Sequence, residues 1–168
     1  MPNERSDVRF PMWRKKVSGS MFTTNCTVIP NWVRDDVFRI AERFPHSNGK
    51  HPESRTTILI KPRKGRPTTH EAWVTTGARK EKGKRLPDVT RLHYGKDVVA
   101  WLEGAFSMTK KREDKRKARG MTTGEAEKMM AFWEMLDIEW DEEGNRFIFR
   151  NWYSIDGRLG TRGNLGRR

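Results

Sequence analysis

The chain has 168 residues and a net charge of +13, with hydrophobic and charged residues at 34% each. This composition is less apolar and more charged than that of an average globular domain, and the length indicates one domain with extensions. The single cysteine, Cys26, excludes an internal disulfide and a thiolate-rich zinc site, and no stretch is apolar enough for a membrane span. We therefore expect a protein of the cytoplasm or nucleus, without a membrane partner.

The charge is distributed unevenly along the chain. Residues 1–120 carry 28 Lys and Arg against 13 Asp and Glu, and residues 144–168 carry six Arg against one Asp. Residues 121–143, in contrast, carry eight acids against one Lys. Clustered positive charge attracts polyanions and releases their counterions. The sequence therefore indicates a nucleic-acid partner and leaves both RNA and DNA open.

The first elements are an arm, a strand and a helix. Residues 1–17 mix charge with Pro and Gly and are expected to form a basic arm, whereas Met21–Ile29 is rich in Thr, Val and Phe and predicts a strand. Asn31 is a suitable cap for a helix that ends near Phe44, because Pro45 follows and the apolar residues recur at three- and four-residue spacing.

Two further strands follow, Arg55–Lys61 and Glu71–Thr76, since both are rich in β-branched or aromatic residues. Pro62–Thr69 between them and Gly77–Pro87 after them combine Lys and Arg with Gly and Pro, which is typical of loops. If the two strands pair as a hairpin, both basic loops flank one sheet.

The second half of the chain predicts three helices and a hairpin. Lys96–Phe106 places its apolar residues on one face, and Met108–Gly120 continues as a basic helix. Thr122 and Glu125 match a capping box that opens the third helix. Residues 138–152 alternate apolar and polar residues around a turn and predict a β-hairpin.

Together these elements predict an α+β fold, in which a small sheet of three or four strands packs with two helices and a helix–hairpin subdomain follows. Both basic termini are expected to be flexible. The predicted units are a basic N-terminal arm at 1–17, a nucleic-acid-binding domain at 18–107, a basic connector at 108–120, an acidic helix–hairpin subdomain at 121–153 and a Gly/Arg tail at 154–168.

Three groups of cations are the candidate nucleic-acid-binding residues. Glycine inside the first two groups lets the backbone approach a phosphate, and Lys and Arg supply charge-assisted contacts. A solvated surface is the usual meaning of a charge run, but three groups and an arginine-rich tail exceed what solubility requires. The groups are Lys61, Arg63, Lys64 and Arg66; Arg79, Lys80, Lys82, Lys84 and Arg85; and Lys110, Lys111, Arg112, Lys115, Arg116, Lys117 and Arg119.

Two tryptophans, Trp73 and Trp152, are the candidates for stacking on a base. Each lies in basic surroundings, where a flat ring is able to stack on an unpaired nucleotide. For any single aromatic residue, a place in the core is the simpler interpretation.

The acidic segment at 121–143 cannot share the task of the basic groups. A helix followed by a two-stranded wing is similar to the end of a winged-helix DNA-binding unit, but Glu125, Glu127 and Glu134 would repel phosphates. We therefore expect the segment to dock on a basic segment, either of the same chain or of a second copy, which makes it a candidate surface for a homo-oligomer. A solvated acidic helix is the simpler alternative.

The sequence has no His-x-His pair, no Walker loop and no nucleophile elbow. Phe22–Asn25 (FTTN) nevertheless resembles the first motif of the rolling-circle replication initiators, which nick DNA with a helical tyrosine and a metal held by paired histidines. Thr69–Trp73 (THEAW) supplies one histidine, His70, of the two in the family motif. The resemblance covers residues 20–107 and implies a DNA-nicking domain in which Tyr94 and His70 are catalytic.

The best interpretation of the sequence is a non-enzymatic nucleic-acid-binding protein, without cofactor or metal, that acts mainly through phosphate contacts. A packaging, replication-accessory or ribonucleoprotein role would suit such a protein. A rolling-circle-type nicking domain, active or degenerate, is one alternative, and a protein-binding adaptor is another. Retention on heparin would separate the adaptor from the others, and a covalent DNA adduct that requires Tyr94 would identify the nicking domain.

Overall fold

The computed structural model describes residues 12–30, 54–128, 133–141 and 143–151. Within these ranges the chain forms one mixed sheet of seven strands and four helices. The strands are β1 (Met12–Lys16), β2 (Cys26–Ile29), β3 (Arg55–Lys61), β4 (Thr68–Glu81), β5 (Lys84–Tyr94), β6 (Met135–Asp141) and β7 (Arg146–Arg150). The helices are α1 (Ser20–Thr23), α2 (Lys96–Ala105), α3 (Ser107–Ala118) and α4 (Thr123–Lys128).

The sheet has the strand order β1-β6-β7-β3-β4-β5-β2, and one junction in it is parallel. β7 runs parallel to β3, with Phe147 opposite Ile58, whereas the other neighbouring strands are antiparallel. The parallel junction therefore joins two antiparallel blocks, β1-β6-β7 and β3-β4-β5-β2, into one sheet.

One face of the sheet carries the core, because side chains alternate between the two faces along each strand. Ile58, Leu92 and Phe147 on this face are fully buried, and the apolar stripe of α2 packs in the same cluster. Tyr94 and Phe149 lie three strands apart, about 14 Å in a flat sheet. Their ring centroids are 6.2 Å apart, so the sheet curls around its core. Helices and one curled sheet agree with the predicted α+β class in its coarse outline.

The sheet is larger than the three or four strands predicted, because it recruits segments that were expected to stand apart. The expected arm at 1–17 contributes β1, which pairs with β6 from Met12 opposite Glu139 to Lys16 opposite Met135. The acidic hairpin contributes β6 and β7 to the same sheet, and its apolar residues belong to the common core. Neither segment has enough apolar surface for a core of its own, which is the physical reason for the difference.

The predicted strand Met21–Ile29 is instead one helical turn, α1, followed by the short strand β2. Met21 and Phe22 lie in this helical turn, and their side chains are buried in the core. Asn25 joins the two elements with a positive φ of 53°, which Asn adopts more readily than β-branched residues do. The apolar residues of this segment therefore reach the core without an extended strand.

The predicted loop Gly77–Pro87 is a β-hairpin. β4 continues to Glu81, β5 begins at Lys84, and the two-residue turn between them has positive φ at both Lys82 (49°) and Gly83 (78°). Two central residues with positive φ are characteristic of a type I′ turn. Sequence reasoning missed these strands because Lys, Gly and Glu are weak strand formers.

The helices after the sheet follow the prediction closely. The predicted helix at 96–106 is confirmed as α2, and the basic helix at 108–120 is confirmed as α3 after a break at Phe106. The capping box is confirmed, since Thr122 Oγ1 accepts the Glu125 N–H at 3.2 Å and Glu125 Oε2 accepts the Thr122 N–H at 2.8 Å. The predicted helix that begins at Asn31 lies outside the described residues. In the part of the chain that the structure describes, no helix is long and apolar enough to cross a membrane.

Candidate nucleic-acid interface

The inner side of α3 is fixed to the rest of the fold by polar contacts. Thr109 is buried, and its N–H and hydroxyl donate to Glu134 Oε1 at 2.6 and 3.0 Å. Glu113 is also buried and lies so close to Gly19 that a methyl group there would overlap its carboxylate. The helix is therefore held with one defined face toward the protein.

Two cations of α3 stabilise this arrangement and are already paired. Arg116 Nε donates to Glu113 Oε2 at 2.9 Å, and this hydrogen bond lowers the pKa of the Glu113 carboxyl. Lys110 Nζ lies 2.9 Å from Asp114 and 3.4 Å from Glu103. Although both cations belong to the predicted third group, their charge is largely neutralised within the chain.

Lys111 and Lys115 on the outer side of α3 form a row with Arg119, which caps the end of the helix, and we call these three residues the α3 row. Residues four apart on a helix lie on one face, about 6 Å apart along the axis, and this face is opposite Thr109 and Glu113. All three side chains are exposed. None of the ion pairs found among the described residues involves them. The α3 row is therefore available to an external anion.

Five described acids of the 121–143 segment, in contrast, have partners within the chain. Those on β6 face arginines of the neighbouring strands, and Glu134 and Glu125 accept the hydrogen bonds described above. Docking on basic residues of the same chain was one of the two expected arrangements, and a homo-oligomer through this segment stays a prediction. The pairs on β6 are Asp137 with Arg14, Glu139 with Arg150, and Asp141 with Arg146.

The first basic group occupies the turn between β3 and β4. Arg63, Lys64 and Arg66 are exposed there, while Lys61 is half-buried at the end of β3. Gly65 has a φ of 102°, a conformation that side-chain-bearing residues rarely adopt, so glycine is required for this turn. The turn therefore presents three cations to solvent at one end of β4.

The second basic group lies at the other end of β4, roughly 40 Å away along the strand. β3 pairs with β4 only as far as Trp73, and β2 pairs with β5 only from Thr90 onward. Beyond these points no other described strand pairs with β4 or β5, which continue as a two-stranded hairpin from Gly77 opposite Val89 to the turn. We call residues 77–89 the distal ribbon. It carries Arg79, Lys80, Lys82, Lys84 and Arg85.

Trp73 lies half-buried on the outer face of β4 and stacks on His93 of β5, with ring centroids 5.4 Å and planes 5° apart. A contact of 2.7 Å between Thr75 Oγ1 and His93 Nε2 fixes the imidazole. Trp73 also lines an open cleft of about 540 Å³ with the exposed Arg55, its register partner on β3. Sequence reasoning missed Arg55, because only the pairing of β3 with β4 brings it beside Trp73. Trp152 lies outside the described residues.

The two residues that the rolling-circle resemblance implicates are poorly placed for nicking DNA. Tyr94 ends β5 with 1% of its surface exposed, and its hydroxyl donates to the Met21 carbonyl at 3.0 Å. Burial raises the pKa of this phenol, so the phenolate that would attack a phosphodiester forms less readily. His70 Nε2 lies 2.8 Å from Thr68 Oγ1. Within the described ranges, no three His, Cys, Asp or Glu side chains are close enough together to hold a metal ion.

Comparisons of the chain with protein-family models, curated proteins and solved structures found no match. The case for a function therefore depends on the exposed cations and on the elements that position them.

Proposed function

We propose that this chain binds nucleic acid without catalysing a reaction on it, and that contacts with the phosphate backbone supply most of the affinity. The observation that carries the proposal is the α3 row. Its three exposed cations repeat about every 6 Å along a helix whose opposite side is fixed to the protein. A rigid, evenly spaced row of cations suits the repeating charge of a nucleic-acid strand.

The way the fold pairs its charges supports this proposal. The three acids of β6 are each paired with an arginine of β1 or β7, so these acids leave no unpaired negative charge on that part of the sheet. The cations of the α3 row and of the turn at 62–67 have no such partners among the described acids. The surplus of positive charge is thus concentrated on exposed elements, where a polyanion would neutralise it.

Two observations favour binding over the alternatives. The burial of Tyr94 disfavours DNA nicking, since the hydroxyl would have to leave the core to meet a phosphodiester. An adaptor would need apolar anchors at its interface, yet the large apolar side chains exposed in the described part of the chain are Val28 and Met108, on different elements. We propose the cytoplasm or nucleus as the compartment, because the lone Cys26 requires no oxidising environment.

The proposal is tested by titrating the protein into fluorescently labelled single-stranded and duplex oligonucleotides over a series of salt concentrations. In the double variant Lys111→Gln/Lys115→Gln, the slope of log affinity against log salt should become shallower by about 1.4–1.8, because each lost phosphate contact removes about 0.7–0.9. Circular dichroism and urea unfolding would show that the variant is folded.

The matched control is Lys96→Gln/Lys128→Gln, which removes the same charge from exposed positions on α2 and α4. We expect its slope to stay near that of the unmodified protein. Equal changes in both variants would show that net charge alone matters and would overturn the role of the α3 row. No retention on any nucleic acid at low salt would overturn the proposed function.

A further inference from the structure

The distal ribbon extends past the ends of the two described strands that flank it, β3 and β2. From Gly77 opposite Val89 onward, its two strands pair with each other and with no other described strand. Residues 81–85 at its tip are all exposed. An isolated two-stranded hairpin is marginally stable in water, so we expect the ribbon to depend on the sheet at its base.

Two features of the ribbon oppose its own stability. Lys82, Lys84 and Arg85 are exposed within four residues of chain at the tip, and like charges at such short spacing repel each other. Lys82 adopts a positive φ of 49° in a type I′ turn, where Asn and Gly are preferred. Glu81 opposite Lys84, and Asp88 at 3.8 Å from Arg85, offset part of this charge, and the Arg85 side chain is 75% exposed. A bound polyanion would relieve the repulsion and use the charge of Lys82.

The dimensions of the ribbon fit one form of nucleic acid best. The major groove of B-form DNA is about 12 Å wide and 8.5 Å deep and admits a two-stranded β-ribbon. From Gly77 to Glu81 the ribbon extends about 15 Å, which exceeds the depth of this groove. Its tip would therefore reach the groove floor before the sheet met the sugar-phosphate backbone of the DNA. The major groove of A-form RNA is too narrow and deep for side chains to read. The register of the two strands shifts between Gly77 and Arg79, and an irregularity of this kind bends a hairpin.

We propose that the distal ribbon enters the major groove of double-stranded DNA, with the turn at Lys82 and Gly83 nearest the base edges and Lys84 and Arg85 along the groove wall. This inference rests on the proposed function and deepens it, because it names duplex DNA rather than RNA or a single strand as the ligand.

Two variants test the inference. In the first variant, the two residues Asn-Gly replace residues 78–88 and form a turn between Gly77 and Val89, which face each other in the register. This change preserves the residues that pair with β3 and β2. The second, Lys82→Asn, removes the charge at the tip while supplying a residue that the type I′ turn prefers. Loss of binding in the second variant therefore cannot result from a weaker turn.

The measurements are affinity for a duplex DNA, for a duplex RNA of the same sequence and for single-stranded DNA, together with methylation of guanine N7 by dimethyl sulfate, which reports on the major groove. The unmodified protein should prefer duplex DNA and protect N7. The shortened variant should lose both the preference and the protection, while its affinity for single strands changes less than about twofold. Lys82→Asn should reduce the salt slope on duplex DNA by about 0.9.

The outcomes separate this inference from the proposed function. Binding to duplex DNA without N7 protection, equal affinity for duplex DNA and duplex RNA, or an equal loss on all three ligands in the shortened variant would overturn the groove assignment and leave nucleic-acid binding standing. Failure of the unmodified protein to bind any of the three ligands would overturn both.

Discussion

Breaking the ion pair between Arg14 and Asp137 should loosen the edge strand β1 from the sheet. The two residues lie opposite each other in the register of β1 and β6, and their side chains are only 7% and 8% exposed. Arg14 Nη2 donates to Asp137 Oδ2 at 2.8 Å, and its Nε donates to the other carboxylate oxygen. The pair is therefore bidentate and nearly dry.

Removing one partner of a buried ion pair is strongly destabilising, so Asp137→Ala should lower the free energy of unfolding by about 3–5 kcal/mol. Replacing both partners with apolar residues, as in Arg14→Met/Asp137→Leu, leaves no buried charge, and we expect most of that stability to be regained. Asp114→Ala is the matched control. Its side chain is 55% exposed and lies 2.9 Å from Lys110, and a pair in such a setting contributes at most about 1 kcal/mol.

Urea unfolding followed by tryptophan fluorescence measures all of these differences, and hydrogen exchange at the amides of β1 shows whether the edge strand opens first. If Asp137→Ala costs less than about 1 kcal/mol, or if the double variant is no more stable than the single one, the pair behaves as a surface pair and the reasoning is wrong. Sedimentation of the same variants at low salt tests the predicted homo-oligomer. An oligomer that dissociates while monomer stability is unchanged would assign Asp137 to self-association.

Two further predictions concern β5. Tyr94→Phe removes the hydroxyl that donates to the Met21 carbonyl and should lower the free energy of unfolding by about 1–2 kcal/mol. Neither the unmodified protein nor the Tyr94→Phe variant should form a covalent adduct with single-stranded DNA in the presence of Mn²⁺. An adduct that requires Tyr94 would contradict the proposal that the chain only binds nucleic acid. Burial, and then the positive charge of Arg91, lowers the pKa of His93 below its ordinary value of 6.5. Because the unfolded chain then binds the proton more readily, stability should fall as the pH drops below 6.5 and level off below the pKa of the folded state. Urea midpoints measured down to about pH 5 should show a flatter dependence in His93→Gln, and an unchanged dependence would refute this role for His93.

The elements that sequence reasoning identified are those whose signals are local. The apolar stripe of α2 repeats at helical spacing, and the Thr122–Glu125 box satisfies its own backbone groups within one turn. The hairpin of β6 and β7 combines alternating residues with a turn that contains Gly144. Each of these patterns can be recognised without knowing what the segment packs against.

What sequence reasoning missed depends on pairing between distant segments. β1 looks like part of a basic arm until β6 supplies its hydrogen-bond partners and an acid for Arg14. Both the free and the paired members of the third basic group are Lys or Arg, so the sequence does not distinguish them. Only the way α3 packs shows that Lys115 is exposed whereas Arg116 pairs with Glu113. The sequence predicts a loop for the distal ribbon because the ribbon is rich in Lys, Glu and Gly, which have low strand propensity.

The parallel junction between β3 and β7 also determines when this protein can fold during synthesis. Residues 58–61 cannot pair with β7 until residues 147–150 have been made. The partner of Arg14 is made 123 positions later in the chain. A chain that emerges N-terminus first would therefore present the apolar face and an unpaired edge of β3 until β7 has been made. Such long-range closure slows folding. The basic groups at 61–66 and 79–85 are made well before β7, so their positive charge opposes the association of neighbouring chains during that interval.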